Sequence, residues 1–396
     1  VLRFLTAGES HGPGLTAIVE GFPAGLTVDT TFISEQLKRR QGGYGRGARQ
    51  KIETDTVEYL SGIRFGKTMG NPVTMFVRNA DWANWTTNMS IEPLPPGTPL
   101  TRESNVPRPG HADFAGMLKY SHETLRPVLE RASARNTATL VAVGSLCRLL
   151  LWEFGITIAS HVVNIGGICV DAAKIDLRRI AELSDASPVR VVDSHAEGRM
   201  IAAIDDAKQR GDTLGGVFEV VALGLPIGLG SYSSWETRLD GQLAQALMGI
   251  QAIKGVEIGL GFECADIPGS AVHDPFFYDD NEQRFLRGSN NAGGIEGGIT
   301  NGEPLIVRAA MKPIATLMKQ LPSVDLQTKK GVPAFAERSD VCAVPAAAVV
   351  GEAMTGIVLA RAFLEKFGGD SVGEIAENYQ AFAARIRRRT ASTQSE

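Results

Sequence analysis

Cysteine is scarce and spread out. Cys147, Cys169, Cys264 and Cys342 are the only four in 396 residues, and no two are close enough for a CxxC pair. That spacing excludes a zinc ribbon and leaves reduced, mostly buried thiols of a cytosolic protein as the expectation. An excess of one charge is missing too: 40 Lys and Arg stand against 44 Asp and Glu, a net charge of -4. A protein that coats nucleic acid normally carries a basic excess, so that class is disfavoured. No membrane-spanning run is expected. The most apolar stretch, "LVAVGSLCRLLLWEFGI", is broken by Arg148 and Glu153 and is too short to span a bilayer. The opening "VLRFLTAGESHG" lacks the pattern of a secretory signal, and a cytoplasmic protein with no membrane partner is expected.

What is present is a chain of ordinary globular composition, 43% hydrophobic and 21% charged. Strand-like runs fill the first half, at 15–21, 51–62 and 71–79, with an amphipathic helix "TTFISEQLKRR" between the first two. The segment 133–154 is apolar nearly all round and reads as a helix buried at the centre of the molecule. Further helices are expected at 175–185, 196–210, 236–252 and 346–367, and strands in "GGVFEVVALGLP", "GVEIGLGFE" and "EPLIVRAAM". Strands and helices do not alternate steadily, which favours α+β layering over a doubly wound parallel sheet. No linker divides the chain. One domain is expected over 1–384, followed by a basic, then polar disordered tail at 385–396.

The chemistry is concentrated on glycine- and proline-bearing turns. "GESHGPG" places Ser10 and His11 on a turn whose glycines permit close approach of a ligand. "PRPGHAD" does the same for Arg108 and His111. Two of only six histidines share this setting, which suits proton donors. In "RASAR", Ser133 can cap the buried helix and Arg135 can meet an anion at its N-terminus. "NNAGGIEGGITNG" carries neither a P-loop ending nor a dinucleotide fingerprint. "KPIAT" puts Lys312 at the end of a strand, and "RSDVCAVPA" puts Arg338 and Asp340 ahead of a proline-initiated helix; Asp340 could equally be a simple helix-terminus acid. Arg40, Arg46, Arg49 and Arg108 lie within two residues of glycine or proline, and Arg135 and Arg338 belong to the "RASAR" and "RSDVCAVPA" segments. Gathered in one cleft they would repel unless a multiply charged anion sat among them, and their forks match carboxylate and phosphate. The stretch "RRQGGYGRGAR" therefore reads as a lid over such an anion, with Tyr44 helping to exclude water, and not as an RNA-binding segment.

The motifs "GESHG", "GYGRGAR", "RPGHAD", "RASAR", "MGIQAIKGVEIG", "GGIEGG", "MKPIAT" and "RSDVCAVPA", in this order from residue 8 to about 370, resemble those of the chorismate synthases. The resemblance implies a β-α-β sandwich, with a central helical layer between antiparallel four-stranded sheets, in a homotetramer built as a dimer of dimers. It implies 1,4-anti elimination of phosphate from 5-enolpyruvylshikimate 3-phosphate, with reduced FMN (FMNH2) required and no net redox change. By resemblance, His11 protonates the departing phosphate, His111 donates toward the reduced flavin, and Asp340 assists deprotonation through flavin N5. Substrate contacts carry over to Ser10, Arg40, Arg46, Arg49, Arg108, Arg135 and Arg338. Flavin contacts carry over to Ser133, Ala134, Arg135, Gln251, Ala252, Gly297, Lys312, Pro313, Ile314, Ala315, Thr316 and Arg338. No metal is implied. NADPH is expected only as a reductant, and an external flavin reductase as a partner, because no added reductase domain is visible. Asn136 and Leu140 depart from the Glu and Arg usual in the family, which bears on the positioning of the buried helix. Another FMN-dependent reductase of a small phosphorylated acid is the alternative.

Overall fold

The computed structural model describes residues 1–47, 54–170, 175–281, 283–335 and 340–391; Arg49 and Arg338 lie outside them. Four strands, Arg3–Gly8, Gly14–Glu20, Val73–Arg78 and Glu58–Ser61, pair in that order, all antiparallel. Alternation sets the faces: Leu15, Ala17 and Val19 are buried, as are Val73, Met75 and Val77, while Ile18 points outward. The buried face packs on the helix Thr137–Trp152. Of the strand expected over 51–62, residues 51–53 lie outside the described residues, and among the rest only Glu58–Ser61 is strand, with a register shift between Tyr59 and Ser61.

Thr137–Trp152 lies against a second apolar helix, Val344–Phe367, and Gly144 allows their close approach: a methyl there would overlap Ala353. Val344–Phe367 is long and apolar enough to cross a membrane, yet most of it is buried inside the protein. It rests in turn on strands Thr157–Ile165 and Gly216–Leu223. These belong to a second antiparallel sheet, ordered Ile253–Ile258, Leu305–Met311, Gly216–Leu223, Thr157–Ile165, Ile168–Cys169. The sheet thus has a fifth, two-residue strand beyond the four expected, formed because the chain turns back at Gly166-Gly167 and pairs Ile168 with Ile165. The strand expected over 255–263 stops at Ile258, and the chain enters a short 3-10 turn at Gly261–Ala265.

Two features locate the site. Helix Thr30–Gln41, capped by Asp29 and closed at Gly42, ends with Arg39 and Arg40 pointing to different carboxylates. Arg39 meets the fully buried Glu352, as does Arg148; Arg40 turns toward the first sheet and Asp55. At the other end of the chain, Val372–Thr390 is a helix with a capping box at Ser371 and Glu374. Residues 385–390, expected in a disordered tail, are its last turns. Arg387, Arg388 and Arg389 sit where basic groups complement the helix dipole, and the Tyr278 hydroxyl donates to Thr390 O.

Candidate active site

The first turn of the chain is sharp. Gly8 has φ 103°, and a side chain there would overlap Gly14 O. The turn sets Ser10 and His11 against helix Arg126–Ala132. His11 Nδ1 lies 2.9 Å from Glu130 Oε1, and the His11 amide donates to Glu130 Oε2 at 2.8 Å. The Glu130 carboxylate is 2% exposed. Burial alone would raise it, but hydrogen bonds and charge from His11, with Arg126, outweigh burial and hold it lowered. The imidazole stacks on Trp85 with ring centroids 3.7 Å apart. Ser10 is buried and accepts a hydrogen bond from Ser133 Oγ at 3.0 Å; Ser133 Oγ also accepts from Arg135 N at the N-terminus of a 3-10 turn, Ala134–Asn136.

Behind this turn, one carboxylate serves two arginines. Arg40 Nη2 donates to Asp55 Oδ2 at 2.5 Å, and Arg135 Nη1 donates to Asp55 Oδ1. Arg40 Nη1 reaches Thr137, and Arg135 Nε reaches Asn79. Asn79 in turn donates to Glu9 O and Gly12 O, tying the arginines to the His11 turn. Arg46 pairs with Asp340 at 2.7 Å, and Asp340 also accepts from Gly47 N. Arg40 is lowered, first by burial and then by the nearby Arg135 and Arg46, against the pull of Asp55. Arg40, Arg46 and Arg135 against Asp55 and Asp340 leave a net positive charge among these five side chains, which favours an anion.

His111 belongs to a second group. Its Nδ1 hydrogen-bonds Asp113 Oδ1, and Arg108 reaches the same carboxylate from its amide and its Nε, at 3.0 and 3.1 Å. Asp113 is pushed down to about 2: burial raises it, but hydrogen bonds from His111 and Arg108 prevail. Arg108 Nη1 donates to Thr316 at 3.1 Å, and Lys312 Nζ donates to Gly110 O. Lys312 N donates to Ala252 O at 2.9 Å, and Thr213 fixes Ile314 O, so 312–316 and 251–252 border the His111 turn. Helix Asp113–Tyr120 packs on Arg126–Ala132, which makes the supports of the two histidines neighbours. Gly297 lies on a separate hairpin, Ile295–Glu296 with Ile299–Thr300, beside Tyr232.

Asp55, Asn79, Trp85, Asp113 and Glu130 were not singled out by sequence reasoning. Asp113 closes the "GHAD" motif and Glu130 immediately precedes "RASAR", so an acid beside each basic turn was the available signal. Asp55 gave none. The lid reading also changes. Tyr44 does not hang over a cleft: its hydroxyl donates to Asp205 at 2.9 Å, its amide donates to Pro188 O, and Gly45 O accepts from Val341 N. Asn136 accepts from Arg131 at 2.9 Å, which steadies the start of the buried helix. His161, another of the six histidines, is fully buried in mid-strand and pairs with Glu219. Among the described residues, no cluster of three or more His, Cys, Asp or Glu could hold a metal ion.

A family model described as chorismate synthase matches residues 2–364. Chorismate synthase of Syntrophotalea carbinolica is 54% identical over 389 residues, covering 98% of this chain and 99% of that protein. That of Desulforamulus reducens is 57% identical over 378 residues, covering 95% and 96%, and that of Aquifex aeolicus 53% over 396, covering 98% of each. A crystal structure of chorismate synthase superposes with a TM-score of 0.79 at 44% identity, covering 98% of both chains. This chain therefore belongs to the chorismate synthase family and is a phosphate-eliminating lyase.

Proposed function

We propose that this protein eliminates phosphate from 5-enolpyruvylshikimate 3-phosphate in a 1,4-anti sense, giving chorismate, with reduced FMN bound and no net redox change. The observation that carries the reading is the His11–Glu130 pair beside Arg40, Arg135 and Arg46. A dianionic leaving group needs both a proton and a positive field, and this corner supplies both. His11, with Nδ1 on Glu130, holds the transferable proton at Nε2 for the departing phosphate. The arginines bind the phosphate and the carboxylates, and Ser10 lines the same turn. His111, oriented by Asp113, is the second proton donor. Asp340 assists removal of the ring proton once Arg46 engages the substrate.

The residues around the His111 turn suit a flavin. Gln251 Oε1 is buried with no hydrogen-bond partner among the described residues and is available to a ring N–H. A side chain added at Gly297 would meet nothing closer than Tyr232 Cβ, at 4.0 Å, which leaves room for a flat group. Ser133, Ala134, Arg135, Gln251, Ala252, Gly297, Lys312 through Thr316 and Arg338 would hold the cofactor. When bound, reduced FMN supplies electron density that aids loss of the allylic phosphate.

Further readings follow. The helices between two sheets are taken as the β-α-β sandwich, and the domain as running at least to 384. The exposed Tyr232, Trp235 and Phe262 are apolar surface that a second copy would cover in a cytoplasmic homotetramer. Reduced flavin comes from a separate reductase, with NADPH only as the ultimate reductant. The test is anaerobic turnover with substoichiometric reduced FMN. Chorismate and phosphate should each exceed the flavin many times over; one reduced flavin consumed per product would instead indicate a reductase.

A further inference from the structure

We propose that Trp85 is a positioning residue for His11: its indole face fixes the imidazole plane and offers a charged ring a cation–π contact. The inference rests on the proton-donor reading of His11 and deepens it. The two rings are 3.7 Å apart and inclined by only 19°, a stack. Glu130 engages Nδ1 at the ring edge while Trp85 covers a face, so rotation about the side-chain bonds is blocked and Nε2 has one direction left. Trp85 is itself immobilised. It is 5% exposed, its Nε1 donates to Asp81 Oδ2 at 2.8 Å, and its amide donates to Trp82 O. A tryptophan held this firmly inside a long proline- and asparagine-rich segment has a task beyond filling space.

Charge around the pair is mixed. From helix Arg126–Ala132, Glu130 faces the imidazole and Arg126 lies 5.4 Å from the Trp85 centroid. From the loop, Arg102 lies 4.8 Å from the same ring, and Asp81 holds its edge. From the turn itself, the Glu9 carboxylate is close to Gly12. Two guanidiniums repel an imidazolium, and a carboxylate paired with it answers only part of that. The indole quadrupole attracts a cation on its face, which adds to the answer without a further charge.

The test has two readouts. In turnover, Trp85→Leu should lose about tenfold or more in kcat at neutral pH, with a smaller change in KM. Its kcat–pH profile should differ from that of wild type, because the indole face that attracts a cation is gone. Trp85→Phe keeps a ring face and should recover most of both. The second readout needs no substrate. A stacked imidazolium quenches indole emission, so the fluorescence of wild type minus that of Trp85→Phe should fall as the pH drops from 8 to 5, and His11→Asn should abolish the change. An emission difference that does not vary with pH overturns the proposal. So does a Trp85→Leu enzyme with wild-type kcat and pH profile. If Trp85→Leu fails to fold, the fluorescence difference still decides. If emission titrates with His11 but His11→Asn eliminates phosphate normally, the stack stands and the proton-donor reading falls.

Discussion

Arg46 Nη1 lies 2.7 Å from Asp340 Oδ2, so a side chain read as a substrate clamp and one read as a base neutralise each other. Arg46 is lowered by burial, against the pull of Asp340, and its Nε is buried with no partner among the described residues. Removing the aspartate charge leaves a guanidinium that needs an anion. Asp340→Asn should therefore gain more thermal stability from inorganic phosphate than wild type does. At roughly ten times its Kd, phosphate would add about 1.4 kcal/mol. Equal shifts in melting temperature for the two proteins would show that Arg46 is not released toward the anion site.

The Asp55 carboxylate is what allows Arg40 and Arg135 to be buried side by side. Without it, two charges lose their common partner. Asp55→Ala should lose about 3–5 kcal/mol of unfolding free energy, the usual penalty for breaking a buried ionic group. Urea denaturation measures this directly, and a loss below about 1 kcal/mol would mean that other groups supply the counter-charge.

His11 and His111 each hold Nδ1 against a buried carboxylate, so each pair should act as a unit. His11→Ala and His111→Ala should each reduce turnover about 100-fold or more with the gel-filtration profile unchanged, and Glu130→Gln should follow His11 at about a tenth of its effect. Steady-state rates and gel filtration on the same samples check this; wild-type turnover in both histidine variants would remove their acid–base roles.

The Asp113 carboxyl is lowered in the folded protein to about 2, while an unfolded aspartate titrates near 3.9. A depressed pKa contributes stability that is fully present above the unfolded value and lost as pH falls toward the folded one. The stability gap between wild type and Asp113→Asn should thus be constant from pH 7 to about 5 and narrow below about 4. Guanidinium midpoints across that range would show it, and a gap that widens on acidification would contradict the assignment.

How far the sequence could be read depended on range. Buried helices and alternating strands are local patterns, and 133–154 and 71–79 announce themselves through Thr137–Trp152 and Val73–Arg78. Glycine-flanked His11 and His111 stood out because turn chemistry is also local. Asp55 did not, because its meaning lies in two arginines 15 and 80 residues away. The same holds for Glu130, 119 residues from His11. Tyr44 shows the same dependence on range: nothing near it in the chain points to Asp205, 161 residues on.

That anchoring changes which segments should move. Residues 42–47 are fastened at Tyr44 and Gly45, so their amides should change exchange rate little when ligands bind. The loop from 86 to 106 and the hairpin Pro322–Val324 with Gly331–Pro333 are held to each other instead: Ser323 Oγ donates to Pro107 O at 2.6 Å and Leu326 N donates to Asn105 O at 3.0 Å. Pro107 adjoins Arg108, so ligand held by Arg108 should stiffen both segments together. Hydrogen exchange with substrate and reduced FMN present should slow both by about tenfold, and Ser323→Ala should uncouple them, since one such bond contributes about 0.5–1.5 kcal/mol. If the hairpin stays unprotected while 86–106 slows, the two do not close as one unit.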